Sequence, residues 1–221
     1  MRKAVCVFLL ALQGAALSQG IHPVTGRPYA GVMGLDGAGW LVRPERETEE
    51  HPDAALDAIG ITSGSTVADI GAGAGYMTWR LAARVGPLGK VYANDIQPKM
   101  LMLLRHNMEE RKISNVIAVL GDVDDPKLPR AAIDMALLVD VYHEFSEPQA
   151  MLRHIRVALR PDGKLVLVEY RGEDPKVPIR PEHKMTVQQV RAEVEPEGFR
   201  LDRVSEVLPR QHVIIFRKSV Q

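Results

Sequence analysis

Val67-Ala68-Asp69-Ile70-Gly71-Ala72-Gly73-Ala74-Gly75-Tyr76 (residues 67–76) decides the reading of the chain. Its first four residues form a short, mostly apolar strand. Glycines at alternate positions follow, and a helical pattern opens directly after them. Glycine at such a junction reaches backbone conformations closed to other residues and lets a ligand come close to the main chain. In doubly wound sheets this is where ligands sit, at the carboxyl ends of the strands. A dinucleotide fingerprint needs G-x-G-x-x-G. Here the third glycine comes one residue early and Tyr76 takes its place. Asp69, just ahead of the loop, would repel a pyrophosphate and suits a positively charged ligand.

A strand–helix alternation extends from this segment. The pattern predicts a helix over 76–85, with Met77, Leu81 and Val85 at helical spacing, and a strand over 90–95. A helix opened by Pro98 follows over 98–111, then strands over 116–120 and 133–139. A helix over 148–159, a buried strand over 164–169 and a helix over 187–197 closed by Gly198 come next. Such alternation gives an α/β fold with a parallel, doubly wound, Rossmann-like sheet. The last strands, 199–207 and 212–217, are separated by too few residues for a helical crossover, so they are expected as an antiparallel hairpin. Ahead of the sheet, 45–60 reads as a charged, then amphipathic helical segment. Residues 19–44, rich in Gly and Pro, read as an extended lead-in packed on the domain.

Further acids fall where a nucleoside needs them. Asp95 ends the second strand and can accept hydrogen bonds from both ribose hydroxyls. Asp122, in Gly121-Asp122-Val123, follows the third strand and can accept from an adenine amino group. Each acid alone is equally well a helix cap or turn residue. Together, at successive strand ends beside a glycine loop, they point to a nucleoside with a cationic tail and no phosphate. S-adenosylmethionine (SAM), with its ammonium and sulfonium, has that chemistry.

On these residues, and on VYANDI (91–96), IDMALLVDVYHEF (133–145) and LRPDGKLVLVEYR (159–171), the sequence resembles the class I SAM-dependent methyltransferases over about residues 45–218. The likeness is nearest to the small-molecule branch, including quinone-biosynthesis-like enzymes. Residues 22–50 look like the lead-in of exported bacterial methyltransferases. The resemblance implies a seven-stranded sheet of order 3-2-1-4-5-7-6 with the last strand antiparallel. It also implies that Asp69, Gly71, Gly73, Gly75 and Tyr76 surround the methionine part of SAM. Asp95 and Ile96 would hold the ribose, and Asp122 and Val123 the adenine.

Methyl transfer from a sulfonium is an in-line displacement on an already activated carbon, so alignment and desolvation supply much of the catalysis. A general base enters only if the acceptor must lose a proton. In the implied fold the end of the fourth strand, Val139-Asp140-Val141-Tyr142-His143-Glu144-Phe145, faces the transferred methyl. His143 is the candidate base, with Tyr142 and Glu144 as positioning groups. Asp140 is assigned to the SAM amino group or to its own loop. His183, ahead of the last helix, is a candidate lid residue. Trp40, Arg43 and Arg46 either cap the site or pack and pair on a solvated face with the nearby glutamates. His51, His143, His154 and His183 are scattered without metal-ligand spacing, so no metal is expected.

Composition narrows the alternatives. With 28 basic and 28 acidic side chains among 221 residues, there is no electrostatic case for nucleic acid. Residues 1–18 begin with Arg2 and Lys3, run apolar from Ala4 to Leu12 and end in Ala16-Leu17-Ser18, the layout of a secretory signal peptide. The apolar run is shorter than the roughly 20 residues that span a bilayer, so no stable membrane span is expected after cleavage. Cleavage removes Cys6, Arg2 and Lys3, leaving 28 − 2 = 26 basic residues against 28 acidic ones. Residues 45–221 then form the methyltransferase domain. The expected partner is a small-molecule acceptor. Rival readings are a non-catalytic SAM- or nucleoside-binding or exported interaction protein, and an NAD-type oxidoreductase. Initiation at Met33 would give a cytoplasmic protein without a leader. The export reading predicts a mature chain beginning at Gln19, and N-terminal sequencing of the natural protein checks it; an intact Met1 or a start at Met33 overturns it.

Overall fold

The computed structural model describes residues 20–219. The leader assigned to 1–18, with Cys6, lies outside them. Among the described residues, no helix is long and apolar enough to cross a membrane. The elements, in chain order, are α1 (Ala38–Leu41), α2 (Arg46–Glu50), α3 (Pro52–Ile59), β1 (Thr66–Ile70), α4 (Thr78–Val85), β2 (Lys90–Asp95), α5 (Pro98–Glu110), β3 (Val116–Leu120), β4 (Ile133–Val139), α6 (Pro148–Ala158), β5 (Leu159–Arg171), β6 (Lys184–Met185), α7 (Val187–Val194), β7 (Phe199–Ser205) and β8 (Gln211–Lys218).

The sheet order is β3-β2-β1-β4-β5-β8-β7, with β6 added beside β5. Strands β1 to β5 pair parallel, while β8 runs antiparallel to both β5 and β7. This is the expected order with its terminal hairpin. The short β6 was not expected; it raises the last pair of strands to seventh and eighth. Side-chain alternation sorts the core. From β4, Met135 and Leu137 join β8 residues Val213 and Ile215 under α3 and α4. Ala136 and Leu138 join Ile214 and Phe216 under α6 and α7 on the opposite face. A strand buried on both faces needs apolar residues at every position, which is why the period-two signal is missing from these segments.

The segment 45–60 carries the expected helix in its later, amphipathic part, α3, closed by Gly60 (φ 68°). The segment breaks at His51, which takes a left-handed backbone (φ 51°) between α2 and α3. Pro52 is the cause, since a proline disfavours helical geometry at the residue before it. The predicted helix over 76–85 begins at Thr78, because the glycine turn persists through Met77.

The lead-in packs on the domain through buried polar groups. Ile21 bridges Pro28, and Arg27 reaches across to α7, where Nε donates to the Glu193 carboxylate at 2.9 Å and Nη2 at 3.0 Å. The other Arg27 nitrogen, Nη1, donates to the carbonyl of His143 at 3.0 Å, and the Ala30 amide donates to the same oxygen at 3.0 Å. Glu193 is 1% exposed and Arg27 7%, so loss of the cation strands a carboxylate in the interior. Removing one partner of a buried pair costs about 3–5 kcal/mol. Arg27→Ala is therefore expected to lose about that much stability in urea denaturation, far more than a surface arginine such as Arg153.

Candidate active site

Gly71 follows β1 with φ 70°, and a side chain there would collide with Val141. The glycine thus brings the β1 turn hard against the β4 loop. Gly73, at φ 52°, donates its amide to Asp95 Oδ2 at 2.9 Å, and the Gln97 amide donates to Oδ1 at 2.8 Å. Burial raises the Asp95 pKa, and the amides of Gln97 and Gly73 oppose that rise. The carboxylate lines the cavity with acceptor capacity left for a hydroxyl donor. Asp69 is 2% exposed and has one side-chain hydrogen-bond partner among the described residues, the Thr78 hydroxyl at 2.6 Å. Burial pushes its pKa to about 6; the Thr78 hydroxyl opposes the shift, Asp95 adds to it and Arg46 opposes it. A buried acid with so little positive charge beside it fits an ammonium group.

The loop opens on a cavity of about 590 Å³ at the carboxyl ends of β1, β2, β4 and β5. Asp69, Gly71, Gly73, Asp95, Ile96, Val123, Asp140, His143 and Glu144 all line it, as does His183. So the topology gathers most of the predicted set, and adds Asn94, Tyr170 and the lead-in residues Met33 and Leu41. Trp40 and Arg46 line it as well, in accord with a cap. Arg43 instead lies over the Trp40 ring at 3.8 Å and pairs with Glu49. Arg46 and its partner Glu50 are buried, joined at 2.6 Å, so the solvated-face alternative does not hold for them. Tyr170 donates to Glu50 at 2.8 Å, and Gln211 donates to both oxygens of Asp140 at 2.8 and 2.9 Å. Asp140 sits in the left-handed region (φ 51°), and its pKa is raised by burial and by Glu50 against the pull of Arg46.

Opposite the glycine loop, the His143 Nδ1 meets Glu169 Oε2 at 2.6 Å. Glu169 Oε1 accepts the Tyr142 amide at 2.9 Å. The other ring nitrogen, His143 Nε2, lies 3.1 Å from Nδ1 of His183. The chain is thus Glu169–His143–His183, with the last ring at the cavity edge. Burial works to lower the His143 pKa, but the Glu169 carboxylate outweighs it and the net shift is upward. His183 is shifted down, by burial and then by the charge of His143. Glu144 is pushed up to about 7 by burial, against the charge of His143.

Some predicted residues lie elsewhere. Gly75 (φ 89°) packs beneath α5, where a side chain would press on Leu104 and Met108, and it does not line the cavity. Tyr76 is held between the guanidinium groups of Arg46 and Arg80 and donates its hydroxyl to Glu47 at 2.9 Å, outside the cavity. The Asp122 side chain faces outward to Lys127, leaving its neighbour Val123 at the cavity. Tyr142 is wholly buried edge-on against Phe145, so it cannot touch an acceptor. Glu169 was missed. Its one signal is an acid directly after the apolar run 165–168, where a fully buried strand has no other reason to carry charge.

A family model described as a methyltransferase domain matches residues 61–204. A crystal structure of a SAM-dependent methyltransferase from Aquifex aeolicus superposes with a TM-score of 0.79 at 26% identity, covering 84% of this chain and 98% of that one. A demethylmenaquinone methyltransferase from Tropheryma whipplei is 34% identical over 117 residues, 53% of this chain and 46% of its own. A ubiquinone/menaquinone biosynthesis C-methyltransferase from Hahella chejuensis is 28% identical over 116 residues, 52% and 47% of the two chains. The chain spans about half the length of the curated relatives it matches. The chain belongs to the SAM-dependent methyltransferase-domain family, and SAM is the cofactor that this family implies.

The Asp69 pKa sets a pH dependence. With the SAM ammonium against Asp69, as the resemblance implies, the ionised carboxylate is favoured, so SAM affinity is expected to be highest above about pH 6 and to fall as pH drops through that value. Calorimetric titration of SAM from pH 5 to 8 checks the sign, and Asp69→Asn should flatten the profile.

Proposed function

We propose that the chain transfers the methyl group of SAM to a small-molecule acceptor. One observation carries this reading: a single cavity runs from the glycine loop and Asp95 to the rings of His143 and His183, so donor and acceptor sites share one enclosure. Bound SAM supplies a sulfonium-activated methyl group. Asp95 would hold the ribose, Asp69 the ammonium, and the backbone between Gly71 and Gly73 the methionine part. Asp140, held by Gln211 and near Arg46, fixes the β4 loop against that end.

The acceptor half is walled by Met33, Phe145, Met151, Pro178 and Ile179, with Arg180 at the mouth. Apolar walls with one exposed cation suit a flat, partly anionic molecule. The quinone-pathway names of the curated relatives support an aromatic acceptor. Closure by Trp40 and Leu41 of the lead-in would exclude water from the transfer. An acidic acceptor proton passes to the outward nitrogen of His183. The His143 ring behind it, held by Glu169, accepts a hydrogen bond from the inward nitrogen of His183 and so leaves the outward nitrogen free to act as the base. His143 thus acts one step behind His183 rather than as the sole base.

Incubation with isotopically labelled SAM and a small-molecule extract tests the reading. Label is expected in a low-molecular-weight product, and His183→Ala should lower transfer by about 10²–10⁴-fold with SAM affinity unchanged. SAM binding with no transfer would favour the non-catalytic binding module, and label confined to macromolecules would overturn the small-molecule acceptor.

A further inference from the structure

The rings of His143 and His183 approach each other nitrogen to nitrogen, and Glu144 stands beside them. Residues separated by forty positions in sequence are brought together here because β5 pairs with both β4 and β6. The segment carrying His183 is pinned by β6 pairing with Tyr170 and Arg171, and by a reciprocal cap in which Thr186 and Gln189 exchange side-chain and backbone hydrogen bonds. Both nitrogens are therefore held on ordered elements.

We propose that His143, His183 and Glu144 bind a divalent first-row transition ion of the zinc class at the acceptor end of the cavity. Three observations carry this. One ligand atom from each residue lies within 4.8 Å of the other two. The facing nitrogens are 3.1 Å apart. Two zinc–nitrogen bonds of about 2.05 Å at an angle of about 100° separate their nitrogens by about 3.1 Å, so both rings already stand at ligand spacing. Glu144 supplies the third ligand atom of the group.

The third observation lies behind the first ligand. His143 Nδ1 is 2.6 Å from a fully buried Glu169 carboxylate. A carboxylate accepts only, so a neutral His143 carries its proton on Nδ1 and leaves Nε2 as a bare lone pair. Carboxylate–histidine pairs of this kind orient metal-binding imidazoles and raise their basicity. A pair of imidazoles with one carboxylate suits zinc, cobalt or iron and disfavours magnesium and calcium, which prefer oxygen donors. With His183 Nδ1 on the ion, the outward nitrogen would carry the ring proton, so the loaded site would activate an acceptor hydroxyl through the ion and only the metal-free site through His183 as base. This inference rests on the proposed function for the role of the ion, and on the geometry alone for its binding.

The test uses the metal-stripped full chain. Zinc chloride is titrated by calorimetry, cobalt(II) is added as an absorption probe of ligand geometry, and magnesium chloride serves as the comparison. The expected result is one zinc per chain, visible cobalt ligand-field bands and no comparable magnesium binding. His183→Ala should weaken zinc binding at least about 100-fold, and Glu169→Gln by about 10–100-fold through loss of orientation. SAM affinity, measured on the same variants, should hold, which separates ligand loss from unfolding. Zinc binding unchanged in His183→Ala, or no zinc heat and no cobalt bands in a chain that binds SAM, overturns the proposal. Zinc binding as expected in a chain that fails to transfer methyl groups keeps the metal site and counts against the proposed function alone.

Discussion

A carboxylate inside a sheet must be met by donors, and the buried Glu169 is the acid around which the acceptor side is arranged. It accepts the Tyr142 amide and the His143 ring, so the loop after β4 is bound to the end of β5. The carbonyl of the same His143 accepts from Arg27 and from the Ala30 amide, which extends the constraint into the lead-in. Arg27 is held in turn by Glu193 on α7. A single buried acid therefore couples sheet, loop, lead-in and last helix. A buried acid of this kind gives more positional definition than net stability, because desolvation offsets much of its attraction.

The cavity is electrostatically uneven. Asp69, Asp95, Asp140 and Glu144 all have pKa values raised foremost by burial, and Arg46 is the buried cation that lines the cavity with them. Acids held above their usual range are poised to ionise fully when a cation arrives, so a positively charged ligand gains from every one of them. A pyrophosphate would meet the opposite sign. The sign of the cavity therefore agrees with the glycine spacing in disfavouring a dinucleotide.

Much of the ligand side was legible from the chain. Asp69, Gly71, Gly73 and Asp95 are local features, set by a strand end and a turn, and local features are what periodicity and spacing report. Less legible was the direction of residues that packing decides: Tyr76 faces a pair of arginines, Asp122 faces Lys127, and Tyr142 lies inward in the core. No spacing rule distinguishes a tyrosine on one side of a loop from a tyrosine on the other.

The sequence by itself determined the alternation of strands and helices, the terminal hairpin, the glycine turn and the acids at successive strand ends. Each depends on contacts between near neighbours, so each leaves a local pattern. Only the tertiary structure decided that Glu169 backs His143, that His183 reaches it from forty residues away, and that Arg46 is a buried wall rather than a surface charge. These depend on strand order and on where the lead-in lies across the carboxyl ends of the sheet. Such long-range placements cost chain entropy and are repaid only by the assembled core, so no short stretch of sequence records them.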